Sequence, residues 1–170
     1  AFNEKLGELF LCKNNLNENL RSRINYLKNQ FGINIPPEHA PEGWTTELHI
    51  HHSEWLKQIY KKLNIGVLLI IDYAIESKKY YSSQKYDGTL LAYKNQKGIN
   101  EFLFSPGDCD LTCHICSDIL ILEAKDIGFG FNGIVKQGEA LLLLGLAEKL
   151  YKIQKSYQND ISKALLKREA

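Results

Sequence analysis

The sequence predicts an α/β fold in which a mainly parallel sheet is covered by helices. Two observations carry that expectation. Residues 66–72 (GVLLIID) form a short run of Val, Leu and Ile without polar alternation, as a strand buried on both faces requires. Segments with apolar residues at helical spacing lie before and after it. The run ends in Asp72, at the C-terminal edge where open α/β sheets collect ligand chemistry.

The elements follow in order. Residues 16–31 place Leu16, Leu20, Ile24, Leu27 and Phe31 on one helical face with charges between them, and Gly32 ends that helix. Pro36, Pro37 and Pro41 make the next stretch a loop, because proline lacks a donor and restricts its predecessor. A second helix is expected over 53–63, with Trp55, Leu56, Ile59, Tyr60 and Leu63 on one face. The strand 66–72 then sits inside a parallel sheet. Residues 75–88, polar and aromatic, read as a loop, GTLLAYKN as a short strand, and 95–106 as an irregular connection. Residues 117–128 form a helix capped by Ser117 or Asp118 and stopped at Gly128. Residues 129–137 are a strand candidate weakened by Gly130 and Gly133. A longer helix over 138–158 and a helical tail complete the chain. No repeat, low-complexity tract or linker interrupts it, so one domain over residues 1–170 is expected.

With 170 residues, 44% of them hydrophobic, the chain is long enough for a substantial core. A net charge of +1 creates no overall field directed at nucleic acid. The longest apolar runs, 67–71 and 140–147, fall far short of the roughly 20 residues that span a bilayer, which predicts a soluble protein without membrane association. No basic segment followed by an apolar stretch and a small-residue cleavage site opens the chain, and a cytoplasmic location is expected.

Three of the four cysteines, Cys109, Cys113 and Cys116, have the spacing of a three-thiolate iron-sulfur signature. That reading makes the chain an iron-sulfur or redox protein. The enzymes that use the signature carry it early, ahead of a barrel for which the residues after Cys116 are too few, so the cysteines are read as loop residues and no metal is expected. His49, His51 and His52 lack a ligand pattern around them and read as a solvated, incidental cluster. Asp72 and Tyr73 stand where a ligand would be met, although a strand-terminal aspartate also forms turns. Thr112 and His114, two apart, share one side of an extended segment and with Asp110 either line a pocket or tie down a loop.

Taken in order, several blocks resemble the MidA-like branch of the S-adenosylmethionine-dependent class I methyltransferases, whose mitochondrial members are linked to respiratory complex I assembly. Asn3-Glu4 resembles the family's A-N-E, and Gly43-x-x-Thr46-Glu47-Leu48 with Trp55 its G-x-x-T-E-hydrophobic segment. Asp72-Tyr73 matches I-D-Y-G, and Gly88-Thr89-Leu90 with Ala92-Tyr93 matches G-T-L-x-A-Y. Pro106-Gly107, Asp110-Leu111-Thr112 and His114 match P-G-x-x-D-[LI]-T-A-H, while Gln137-Gly138, Leu141 and Leu144-Gly145-Leu146 match Q-G-x-F-L-x-x-L-G-[LI]. The chain departs from the pattern at Gly7, Ala74, Ala140 and the Cys113-His114-Ile115-Cys116-Ser117 continuation.

The resemblance implies a Rossmann-like class I methyltransferase fold, incomplete, holding the C-terminal part of the doubly wound sheet with helical insertions. The family's glycine-rich turn and ribose-binding acid would precede Ala1, so this chain alone is expected to be inactive. S-adenosylmethionine is the implied cofactor. The implied acceptor is a protein side chain, an arginine of a respiratory-complex subunit, with neither nucleic acid nor membrane as partner and with a homodimer allowed. Asn3, Glu4 and His114 are the implied catalytic residues, Asn3, Asp72 and Tyr73 touch the cofactor, and Asp110 and Thr112 line the acceptor side. A non-catalytic interaction module lacking the cofactor half is the remaining alternative.

Overall fold

The computed structural model describes residues 2–3, 8–99, 103 and 107–166. The chain forms two compact units, Ala1–Phe131 and Asn132–Ala170. In the first, β1 (Phe2–Asn3) pairs antiparallel with β2 (Glu8–Leu9). Helix α1 (Glu18–Phe31) begins where the Asn17 side chain accepts the Leu20 N–H at 2.9 Å. It ends at Gly32, whose left-handed φ of 67° lets its N–H reach the Leu27 and Lys28 carbonyls. After the proline-rich loop comes α2 (His52–Lys62).

Short elements then alternate: β3 (Ala74–Ile75), α3 (Ser77–Tyr80), β4 (Leu91–Lys94), β5 (Lys97–Ile99), β6 (Asp110–Thr112), β7 (Ile115–Cys116) and α4 (Ser117–Ile127). Strands β3 and β7 form a parallel pair, with Ala74 opposite Ile115 and Ile75 opposite Cys116. Strand β4 is the centre of an antiparallel sheet of order β5-β4-β6, with Tyr93 opposite both Gly98 and Asp110.

Leu27, Ile33, Tyr80, Tyr81, Cys116 and Ile119 form the core of this unit. Leu56 anchors α2, which packs along α4, and Tyr60 meets Phe129 edge to face at 5.0 Å. Each fully buried leucine contributes about 1.5–3 kcal/mol. Arg23 of α1 and Glu123 of α4 make a buried ion pair. In the second unit, α5 (Gln137–Leu143) turns at Gly145, φ 84°, into α6 (Leu146–Leu166).

The helices over 16–31, 53–63 and 117–128 are found nearly where the sequence puts them, and β4 lies within GTLLAYKN. Other expectations are corrected. Residues 66–72 form no regular element and pair with no strand among the described residues, so the expected buried central strand is absent here. Its odd-numbered face is bare: Ile65 is 98% exposed, Val67 72%, Leu69 77%, Ile71 73% and Tyr73 72%. A strand has no ladder without a neighbour, and a hydrophobic pattern supplies none. Residues 75–88 are not merely loop, since Tyr80 and Tyr81 are core residues and α3 forms around them.

The irregular connection after β4 is partly a hairpin. Asn95 and Gln96, at φ 51° and 62°, take the two positive-φ positions of a tight turn into β5. Residues 129–137 form no strand, and Gly145 breaks the expected long helix. Neither expected residue caps α4: its N-cap is Cys116, and the Asp118 carboxylate instead accepts the Ser77 N–H at 2.9 Å and the Ser77 hydroxyl, fixing the start of α3. No helix among the described residues is long and apolar enough to cross a membrane.

Candidate functional site

The parallel pair β3/β7 brings together two blocks far apart in the chain. Asp72 and Tyr73 lead into β3, and His114 leads into β7. The Ile115 N–H donates to the Tyr73 carbonyl at 2.9 Å. The Tyr73 and His114 rings meet edge to face with centroids 6.0 Å apart, and Asp72 accepts the Tyr73 N–H at 2.7 Å. His114 Nδ1 is buried without a hydrogen-bond partner among the described residues, an arrangement with a cost unless a ligand or water meets it. Asp110, exposed, and Thr112, half-buried, lie on β6 opposite Tyr93 and Leu91.

His114 is held from behind by a polar knot centred on Glu47. The stretch carrying Glu47 is laid against the residues preceding β4: the Thr45 N–H donates to the Tyr86 carbonyl at 2.8 Å, and the Trp44 indole donates to the Ser82 carbonyl at 3.1 Å. The Glu47 carboxylate accepts the Thr89 N–H at 3.0 Å and the Leu90 N–H at 2.9 Å. It also accepts the Tyr80 hydroxyl at 2.8 Å and lies 3.1 Å from the Thr89 hydroxyl. Thr89 Oγ1 in turn accepts the His114 N–H at 3.0 Å. Burial alone would raise the Glu47 pKa, but the donors from Thr89, Tyr80 and Leu90 outweigh it and hold the carboxyl below its ordinary value. Gly88 makes the approach possible. Its φ is 70°, and a Cβ there would stand 2.4 Å from Glu47 Oε1.

The histidine cluster is corrected in part. His51 is exposed, as expected, but the rings of His49 and His52 stack at 4.4 Å and are half-buried. His49 Nε2 lies 3.1 Å from the Tyr80 hydroxyl. Burial, the neighbouring His52 and Arg23 push the His49 pKa down to about 4, against opposing contributions from Glu47 and the His114 backbone. These rings belong to the packed structure. Burial lowers His52 as well.

Asn3 lies on β1, opposite Glu8, on a ladder of its own, and Glu4 lies outside the described residues. The structure therefore joins Asp72, Tyr73 and His114 but does not bring Asn3 to them through β3 or β7. Among the cysteines, burial pushes the Cys113 thiol up and the Cys116 thiol to about 12, which keeps both protonated near neutral pH in the absence of a metal. No group of three His, Cys, Asp or Glu side chains among the described residues is arranged to hold a metal ion.

An open hollow along Trp55, Gln58, Ile59 and Leu63 and a polar one at Asn19, Arg23, His51 and Glu54 include none of the residues at the β3/β7 entrance. At the β3/β7 entrance the described residues leave the His114 Nδ1 without a partner. Glu47, Thr89 and Tyr80 are not among the site residues that the sequence predicts. The only signal was that Glu47 and Thr89 fall inside the quoted T-E and G-T-L blocks.

No curated protein matches the chain. A crystal structure of a superfamily member and candidate methyl transferase from Burkholderia thailandensis, bound to S-adenosyl-homocysteine, superposes with a TM-score of 0.73 at 23% identity over 94% of this chain and 38% of that one. A second structure from the same organism, of an uncharacterized superfamily protein, gives 0.71 at 23% identity over 92% of this chain and 39% of that one. The likeness is one of fold, and the chain spans about two fifths of the length of either structure. A family model described as "Putative S-adenosyl-L-methionine-dependent methyltransferase" matches residues 3–135. By that match, which takes in the Glu47 knot and the β3/β7 entrance alike, the chain belongs to this S-adenosylmethionine-dependent methyltransferase family.

Proposed function

We propose that this chain is the acceptor-side portion of a cytoplasmic S-adenosylmethionine-dependent methyltransferase that modifies a protein side chain, an arginine of a respiratory-complex subunit. Membership of the family supports the reaction class. The arginine acceptor rests on the resemblance of the motifs. The observation that carries the site is the meeting of Tyr73 with His114, whose Nδ1 is buried and without a partner among the described residues.

When bound, the cofactor supplies an electrophilic methyl group. The chain's own residues do the rest by positioning. Tyr73 offers a ring against which a ligand packs, and Asp72 fixes the turn that presents it. Asp110 and Thr112 receive the acceptor from the β6 side. Glu4 orients a guanidinium through two hydrogen bonds, and His114 takes up a proton at a ring nitrogen. The adenosyl side is supplied by polypeptide beyond these residues, in keeping with the bare apolar face at 65–73 and with the share of the solved relatives that the chain spans.

Calorimetric titration with S-adenosylmethionine tests the reading. The 170-residue chain is expected to bind poorly, and a longer polypeptide with residues ahead of Ala1 to bind well and to label protein arginine with radioactive methyl. A longer polypeptide that neither binds the cofactor nor transfers the label overturns it, and leaves the non-catalytic interaction module in its place.

A further inference from the structure

We propose that Glu47 is a positioning residue that sets His114 through the Thr89 hydroxyl. The importance given to His114 rests on the methyltransferase reading; the geometry does not. Glu47 gathers donors from two backbone amides, one tyrosine and one threonine, adding side-chain ties to the backbone bond between Thr45 and Tyr86. A carboxylate is the one side chain with enough acceptor sites for this, since its two oxygens offer about four lone-pair directions and need no proton.

Thr89 is the relay. Its oxygen accepts the His114 N–H at 3.0 Å, while its single proton has Glu47 Oε2 and the Tyr80 oxygen, each 3.1 Å away, as acceptors. The next amide, that of Ile115, is held independently by the Tyr73 carbonyl. The His114 backbone is therefore pinned on one side by the β3/β7 pair and on the other by the Glu47 relay. Those two anchors set where the imidazole enters the rim.

Amide exchange and imidazole resonances, measured by NMR on the 170-residue chain, test this without any methyl transfer. Thr89→Ala is expected to speed exchange at the His114 amide about tenfold, the worth of one hydrogen bond, while Ile115 changes less than about twofold. Thr89→Ser keeps the hydroxyl and is expected to restore the wild-type rate. Glu47→Gln is expected to shift the His114 ring resonances and to speed exchange at Thr89 and Leu90.

The proposal is overturned if His114 and Ile115 rise together in Thr89→Ala, which would mark general loosening, or if Thr89→Ser fails to rescue. It is also overturned if a folded Glu47→Gln protein leaves the His114 ring unmoved. Should Glu47→Gln not fold, the two Thr89 variants decide alone. A failed cofactor titration of the longer polypeptide, with intact exchange behaviour in the 170-residue chain, removes the methyltransferase reading and leaves the relay, and the converse pairing removes only the relay.

Discussion

Two irregular stretches flank α2, and they have opposite fates. Residues 45–49 carry a threonine pair, a glutamate and a histidine, look unpromising as a structural element, and are tied into the interior by side-chain hydrogen bonds. Residues 65–73 hold the most strand-like run in the sequence and leave alternate apolar side chains in solvent. The difference teaches that pattern expresses a preference, while partners decide what is realised. Glu47 finds its donors within the chain, whereas the strand's ladder needs neighbours that the described residues do not provide.

Substitutions can break this contrast. The largest effect is expected deep in the packed region. Arg23→Met leaves Glu123 buried without its cation and should cost about 3–5 kcal/mol in urea unfolding, much of it recovered when Glu123 is replaced by Leu as well. Next comes pH. His49 titrates at about 4 when folded, below its ordinary 6.5, so the unfolded chain binds the extra proton first. Its contribution is complete above pH 6.5 and is lost as pH falls towards 4. Thermal unfolding across that window should show stability declining with acid, and His49→Gln should flatten the decline. A separate loss should follow below about pH 4.5, where the unfolded Glu47 protonates first.

Tyr80→Phe removes one donor from Glu47 and should cost about 1–2 kcal/mol. The smallest effect belongs to the bare stretch: Leu69→Ser should change stability by less than about 0.5 kcal/mol. The same change in a longer polypeptide that supplies neighbouring strands should cost about 2 kcal/mol, and a large loss in the 170-residue chain would show that the face is already covered.

What could be read from the sequence follows the same division. The helices were legible because their information is local: Asn17 and Gly32 mark the ends of α1, and the spacing of Leu20, Ile24 and Leu27 marks its face. The joining of Tyr73 to His114 was legible only in outline, because both fall in blocks of the resembling family. The knot was not legible, because nothing in a one-dimensional pattern says that Glu47 will collect donors from positions 80, 89 and 90. Likewise Tyr80 and Tyr81, set among lysines and serines, gave no sign that they would fill the core. The break at Gly145 was visible as a residue but was outweighed by the leucines on either side. For the histidine cluster, the lack of a ligand pattern around it says nothing about burial, and the burial of His49 depends on Tyr80 packing beside it.

Gly88 shows how narrow the tolerance around Glu47 is. The space that a methyl group would need at position 88 is the space the carboxylate occupies, so the two positions share one volume. A methyl group at 88 would push the Glu47 carboxylate off its donors, and even an alanine paired with an aspartate would still have to bear a left-handed backbone that only glycine adopts without strain. A side chain at position 88 therefore meets two obstacles at once, the carboxylate and the backbone.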